Sequence, residues 1–153
     1  MKRLAFFLIV ILLSGIKLHS QEMEQRINFV ISIDGNVVNS LVNAKFSSES
    51  HQIEVLYLPG ELILSKNDFD EFIKNKNSFH LSFGYYEYLG NKQLSYHYEI
   101  ELKKVWFEQS YRVLRIYNTD KKQNKKIFYP LEGKEYTYEV DLPSNSITRI
   151  RKK

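Results

Sequence analysis

The sequence contains no cysteine, and its 153 residues include only six glycines, three prolines and one tryptophan. Without cysteine the chain has no disulfide, no catalytic thiol, no cysteine-bound zinc and no iron–sulfur cluster. A lipid anchor of the bacterial lipoprotein type is also excluded, since it needs a cysteine just after the signal. Core packing alone must therefore hold the fold together.

Long apolar runs are scarce as well, with one exception near the N-terminus. Lys2 and Arg3 precede the apolar stretch Leu4–Ile16, and Lys17–Ser20 then ends in a small residue. This order predicts a secretory signal peptide over residues 1–20, cleaved before Gln21. The alternative is an uncleaved membrane anchor, which the short stretch disfavours because a bilayer span needs about 20 apolar residues. We therefore expect a periplasmic or secreted protein with no stable membrane span after signal removal.

Positive charge is in small excess. The formal charge is +4, but residues 1–20 hold three of the 22 basic residues and no acid, so removing them leaves +1. The remaining basic runs, at 121–126 and in the tail at 149–153, are typical of solvated loops and termini. We expect no nucleic-acid partner.

What the sequence has in abundance is tyrosine and phenylalanine, 21 residues together, in segments where apolar and polar residues alternate. This period of two predicts β-strands. Strands are predicted over 27–33, over 37–46 with a break or bend, and over 52–57. They are also predicted over 62–64, 111–118, 127–131 and 136–142, with a last short pairing at Ile147 and Ile150.

The clearest strand pair surrounds Gly90-Asn91, a sequence that favours a type II′ hairpin turn. A two-residue loop sets Leu89 opposite Lys92, so that all paired numbers sum to 181. In this register one face is apolar or aromatic from Phe79 to Tyr85, and the other carries polar residues. A shift by one residue would mix the two faces, so their separation supports the hairpin over 79–107.

Two further local patterns stand out. Pro59-Gly60 occupies the centre of a type II turn, whose twist suits a corner between sheets better than a tight hairpin. Ser65 to Asp68 resembles a capping box, and Phe69, Phe72 and Ile73 follow at helical spacing. We therefore predict a short amphipathic helix over 66–74, ended by residues 75–78.

Together these elements predict a single all-β domain over residues 21–153, a mainly antiparallel β-sandwich with one short amphipathic helix and a basic tail. The alternative is a closed up-and-down β-barrel. In its alternation of short strands the chain resembles small secreted sandwich domains of the prealbumin-like or immunoglobulin-like kind. The resemblance implies an architecture and no activity.

Residues that carry chemistry are few. His80 and His97 lie on the polar face of the hairpin, but the register places their rings about 13 Å apart, too far to share a metal. Asp68, Asp70 and Glu71 match the positive end of a helix dipole and lack the pattern of a calcium loop. No motif for a cofactor or a nucleophile is present. We expect no metal and no cofactor.

The remaining feature is the pair Tyr86 and Tyr88, on the polar face close to the turn and near His97 and Glu99. Exposed tyrosines on a flat sheet suit stacking on a sugar or contact with a protein. We therefore predict a non-enzymatic exported module that binds an envelope protein or glycan through Tyr86, Tyr88, His97 and Glu99. The alternatives are a small exported hydrolase that uses His97, Glu99 or Glu101, and a lipocalin-like carrier with an internal cavity.

Overall fold

A computed structural model describes residues 23–49, 51–74 and 78–144, and the backbone of residues 146–147. The predicted signal peptide, the end of the helix at 75–77, Ile150 and the basic tail lie outside the described residues. Eleven strands form within the described part: β1 Glu24–Ile33, β2 Asn36–Val37, β3 Val42–Ser47, β4 Gln52–Glu54, β5 Leu56–Leu58, β6 Glu61–Ser65, β7 Ser78–Leu89, β8 Lys92–Lys103, β9 Arg112–Asn118, β10 Tyr136–Asp141 and β11 Ser146–Ile147. The helices are α1 Lys66–Lys74, a 3-10 turn Lys104–Glu108, and α2 Lys122–Lys125.

The strands build two sheets that pack face to face, which confirms the predicted sandwich. One sheet has the order β11-β10-β9-β1-β6-β5, with β2 paired to β1, and the other has the order β4-β3-β7-β8. Neither sheet closes on itself, so the alternative of a closed barrel is wrong. Among the strands of the described residues all pairs are antiparallel except one: β1 and β9 run parallel, from Phe29 beside Arg112 to Ile33 beside Ile116.

The predicted hairpin forms in the predicted register. Leu89 pairs with Lys92, and pairing continues without a slip to Ser78 and Lys103. Phe79, Leu81 and Phe83 face the other sheet and are essentially inaccessible. Tyr85 and Tyr96 extend this face and pack on the edge of the core.

The corner between the sheets lies a few residues before its predicted position. Chain 52–58 runs along the edge of the four-stranded sheet as β4, changes sheet at Val55, and continues as β5 in the seven-stranded sheet. The amide of Val55 still donates to Ala44 in β3, at 2.9 Å. Leu58 then pairs with Glu61 across Pro59-Gly60, where Gly60 has φ +93°. Pro59-Gly60 is therefore a tight hairpin turn, and its prediction as a corner is wrong.

Helix α1 has the predicted bounds and closes one end of the sandwich. The amide of Asp68 donates to the Ser65 hydroxyl at 3.4 Å, a weak N-terminal cap. Phe69 and Phe72 are buried and lie 6.2 Å from the ring of Phe46 in β3. Phe72 also packs edge-on against Phe79 at 5.1 Å. Aromatic contacts of this kind join the helix to both strands that it covers.

The predicted strand over 127–131 does not form. Phe128 makes a single bridge, and its ring stacks on Tyr117 at 4.2 Å, so the segment lies across the outer side of the seven-stranded sheet. The predicted loop before it contains the short helix α2. Strand β9 lies between β10 and β1 in the larger sheet. Strand β10 is buried on both faces, including Thr137 and Glu139, although its alternation suggested one polar face.

Candidate functional site

The predicted binding residues lie on the outer face of the four-stranded sheet. His97 pairs with Gly84, and Glu99 pairs with Ser82, which pairs in turn with Lys45. His97 and Glu99 are exposed to solvent. His80 and Glu101 on the same face are also exposed, whereas Ser82 between them is buried.

Tyr86 and Tyr88 stand where the hairpin leaves the sheet. Strand β3 pairs with β7 only as far as Gly84, so the hairpin continues beyond it as a two-stranded ribbon. Tyr86 is 41% exposed and Tyr88 is 68% exposed. They are two residues apart on one strand and therefore project on the same side, roughly 7 Å apart along the chain. The fold thus presents two neighbouring aromatic side chains beside a flat polar surface.

Gly84 keeps the surface flat next to Tyr86. A Cβ at Gly84 would lie 3.4 Å from the Cβ of Val42 in β3, which is close van der Waals contact. Ser82, the next residue on this face, is small and 7% exposed. Neighbouring side chains therefore cover Ser82, and the exposed part of this face lies at its flanks and toward the hairpin tip.

Glu99 lies on the edge strand β8, and its carboxylate is paired with a lysine. Lys134 Nζ lies 2.9 Å from the carboxylate. This hydrogen bond lowers the pKa of Glu99, and the charges of Lys134, His80 and His97 act in the same direction. An ionised carboxylate suits recognition of a hydroxyl or a cation, while a general acid needs a raised pKa. The lowered pKa therefore makes Glu99 unsuited to the role of general acid in the hydrolase alternative.

The edge of β8 at Glu99 is also capped by the opposite sheet. The Tyr136 hydroxyl of β10 accepts a hydrogen bond from the Glu99 amide and donates one to its carbonyl, both at 2.8 Å. The Tyr138 hydroxyl donates to the Glu101 carbonyl at 3.3 Å. Unpaired strand edges invite pairing with other chains, and these hydroxyls occupy this one.

The histidines do not meet. His80 pairs with Glu101 and His97 with Gly84, as the hairpin register predicted. Across the described residues no three histidine, aspartate or glutamate side chains are grouped so that they could hold a metal ion. In the same part of the chain no helix has the length and apolar character to cross a membrane.

Sequence reasoning missed a polar cluster on the other side of the ribbon. Lys121 Nζ lies 2.7 Å from Glu87 of β7 and 2.9 Å from Asp34, which follows β1. The Tyr96 hydroxyl donates to Glu87 at 3.1 Å. The Tyr98 hydroxyl donates to Asn118 at 2.9 Å. The Asp34 side chain is only 4% exposed, so the cluster fastens the ribbon to the seven-stranded sheet.

The protonation of this cluster reflects burial and charge. Burial raises the pKa of Tyr98, and burial together with the Glu87 carboxylate raises that of Tyr96 to about 12. Burial lowers the pKa of Lys121, but the hydrogen bonds to Asp34 and Glu87 outweigh it and raise the pKa. Lys121 is therefore charged at neutral pH and both tyrosines are neutral. No local sequence pattern predicts the cluster, because its members come from four separate segments.

A groove of about 1,030 Å³ lies elsewhere, where the chain crosses between the sheets. Its apolar lining includes Ile53, Val55 and Ile63, and Glu24 and Glu54 supply charge. It contains none of the predicted site residues and is open to solvent. The lipocalin-like alternative predicts an internal cavity; among the described residues apolar side chains pack together between the two sheets, which offers that alternative no support.

Comparisons with protein-family models, with curated proteins and with solved structures find no match to this chain. Any function must therefore be argued from the site itself. The resemblance to prealbumin-like or immunoglobulin-like domains stays a prediction.

Proposed function

We propose that the protein is an exported, non-enzymatic module that binds an envelope protein or glycan through the outer face of its four-stranded sheet. The observation that carries this proposal is the exposure of Tyr86 and Tyr88 beside the exposed polar residues of this face. The signal peptide predicted from the sequence over residues 1–20 is the reason for proposing export.

The chemistry of this face suits recognition better than catalysis. Tyrosine offers a large ring and a hydroxyl at low cost in side-chain entropy, and such residues dominate binding surfaces. Glu99, held by Lys134, and His97 supply hydrogen-bonding groups on the same face. A flat surface leaves the reacting atoms of a substrate in water, whereas catalytic sites exclude it.

The test is a quantitative pull-down from detergent-solubilised envelope fractions and from purified envelope glycans. The double variant Tyr86→Ala, Tyr88→Ala should lose most of its retention, because truncating an aromatic hot spot costs 2 kcal/mol or more, about 30-fold in affinity. Tyr111→Ala is the matched control, since Tyr111 is 47% exposed but lies outside this face. Thermal melting of each variant checks that the fold is intact.

Two results decide the proposal. Retention that falls for the double variant and not for Tyr111→Ala supports the face. Retention that is equal for all three proteins contradicts it. Loss of a measured hydrolytic activity in Glu99→Gln, Glu101→Gln and His97→Ala would instead favour the hydrolase alternative.

A further inference from the structure

The tip of the β7–β8 hairpin carries apolar side chains on both of its sides. Tyr86 and Tyr88 project on one side, and Leu89 and Leu94, 55% and 37% exposed, project on the other. Four large apolar residues thus surround a narrow ribbon that extends past the rest of its sheet. A flat protein surface would cover the apolar side chains on one side of the ribbon only, whereas a lipid layer can surround those on both sides.

The ribbon is held at a fixed position by the polar cluster beneath it. Glu87, which pairs with Leu94, accepts hydrogen bonds from Lys121 Nζ at 2.7 and 2.9 Å. The same ammonium lies 5.9 Å from the centre of the Tyr96 ring. Lys121 therefore joins the base of the apolar tip to the segment that contains α2.

That segment is basic and is fixed in turn. Residues 120–127 contain four lysines against one acid, Asp120. The buried Asn124 side chain donates to Asp34 and to the Asn118 carbonyl, which anchors the turn from inside. Lys122, Lys125 and Lys126 are exposed around this anchor. Their charge therefore lies at the same end of the sandwich as the apolar tip.

We propose that this end of the molecule docks on an anionic lipid surface, with Leu89 and Leu94 inserted among the acyl chains and the lysines of 122–126 at the headgroups. Apolar side chains backed by lysines are the combination that holds peripheral proteins on membranes, and tyrosine is favoured at the depth of the headgroups. The lysine charge is complementary to acidic lipid. The inference goes beyond the proposed function, because it adds Leu89, Leu94 and the lysines of 122–126 to the two tyrosines and names a different partner, an anionic lipid surface.

The test is sedimentation of the full-length protein with vesicles of phosphatidylcholine plus phosphatidylglycerol, and with phosphatidylcholine alone. All variants keep the same N-terminus, so residues 1–20 contribute equally. We expect binding to the anionic vesicles, weakened by salt. Leu89→Ser should lower the partition coefficient about tenfold, from the lost burial of one leucine. Leu56→Ser is the matched control, because Leu56 is 59% exposed on the distant edge strand β5.

The lysines are tested in the same way. Lys122→Gln and Lys126→Gln should each lower binding about fivefold, since a lysine near an acidic surface contributes about 1 kcal/mol. Lys103→Gln, at the far end of β8, should change nothing. In Tyr88→Trp the fluorescence of the new side chain should shift to the blue with anionic vesicles.

Failure has distinct forms. The inference is wrong if no variant binds anionic vesicles better than neutral ones, or if Leu89→Ser and Leu56→Ser behave alike. It is also wrong if only the lysine variants lose binding, equally to vesicles and to soluble dextran sulfate, which would show a purely electrostatic surface. The envelope pull-down is carried out in detergent, where no lipid surface is present, whereas the sedimentation test depends on one. The proposed function and the lipid inference can therefore fail separately.

Discussion

Replacing Asp34 tests whether the buried polar cluster holds the two sheets in place. Its carboxylate accepts hydrogen bonds from the Asn118 amide and side chain, both at 2.8 Å, and from Asn124, and it pairs with Lys121 at 2.9 Å. Asp34 also has φ +52°, a conformation that aspartate and asparagine tolerate better than alanine.

The expected cost of Asp34→Ala follows from these contacts. Removing one partner of a buried ion pair costs about 3–5 kcal/mol, and a buried amide left without an acceptor adds about 1–3 kcal/mol. Lys121 keeps Glu87 and is partly exposed, which reduces the loss. We expect a decrease of about 4 kcal/mol in the free energy of unfolding, a large part of the 5–15 kcal/mol typical of a domain.

Urea titration followed by circular dichroism measures the change. With a slope of about 2 kcal/mol per molar urea, the midpoint should fall by about 2 M. Asp34→Asn keeps the size of the side chain and its tolerance of a positive φ, but its NH2 group faces other hydrogen-bond donors. We therefore expect this variant to lower the free energy of unfolding by about 2 kcal/mol. Asp120→Ala, an exposed neighbour, should stay within about 0.5 kcal/mol of the parent. A cost below about 1 kcal/mol for Asp34→Ala would refute the role of the cluster.

Two further predictions concern tyrosine hydroxyls. Tyr136→Phe should lower the free energy of unfolding by about 1–2 kcal/mol in the same urea assay, because the amide and carbonyl of Glu99 lose their partner; Tyr111→Phe should be neutral, and an unchanged midpoint for Tyr136→Phe would contradict the edge cap. Stability should also fall above about pH 10, because burial raises the pKa of Tyr98, Tyr136 and Tyr96, so the unfolded chain loses these protons first. This contribution is complete below pH 10 and is lost as the pH rises through the folded pKa values; thermal melting that is flat from pH 9 to about 12 would contradict it.

Local patterns predicted the local elements well. The register of the hairpin followed from two turn residues and from the separation of its faces, and helix α1 followed from Phe69, Phe72 and a polar start. These features depend on residues close in the sequence, where period and turn chemistry decide the structure.

Features that depend on distant segments were missed or misplaced. Pro59-Gly60 fitted a type II turn, but whether such a turn joins two sheets or one hairpin depends on where Leu58 and Glu61 pair. The segment 127–131 has the apolar residues of a strand, but the ring of Phe128 packs on the ring of Tyr117 instead of lying in a sheet. For the candidate site, the exposed positions of Tyr86 and Tyr88 followed from the hairpin, while the cluster of Glu87, Lys121 and Asp34 required the whole fold.

The parallel pairing of β1 with β9 has a consequence for how the chain folds. Strand β1 lies in the middle of the larger sheet, but the contact between Asn28 and Arg112 joins positions 84 residues apart. Strand β6 is synthesised soon after β1, but β9, the neighbour on its other side, follows only after residue 111. Closing a loop of this length costs conformational entropy before any hydrogen bonds or packing between the two strands form. Folds dominated by such long-range pairs form in milliseconds to seconds. We expect the hairpin β7–β8 to form early and the larger sheet to assemble last, when β9 pairs with β1.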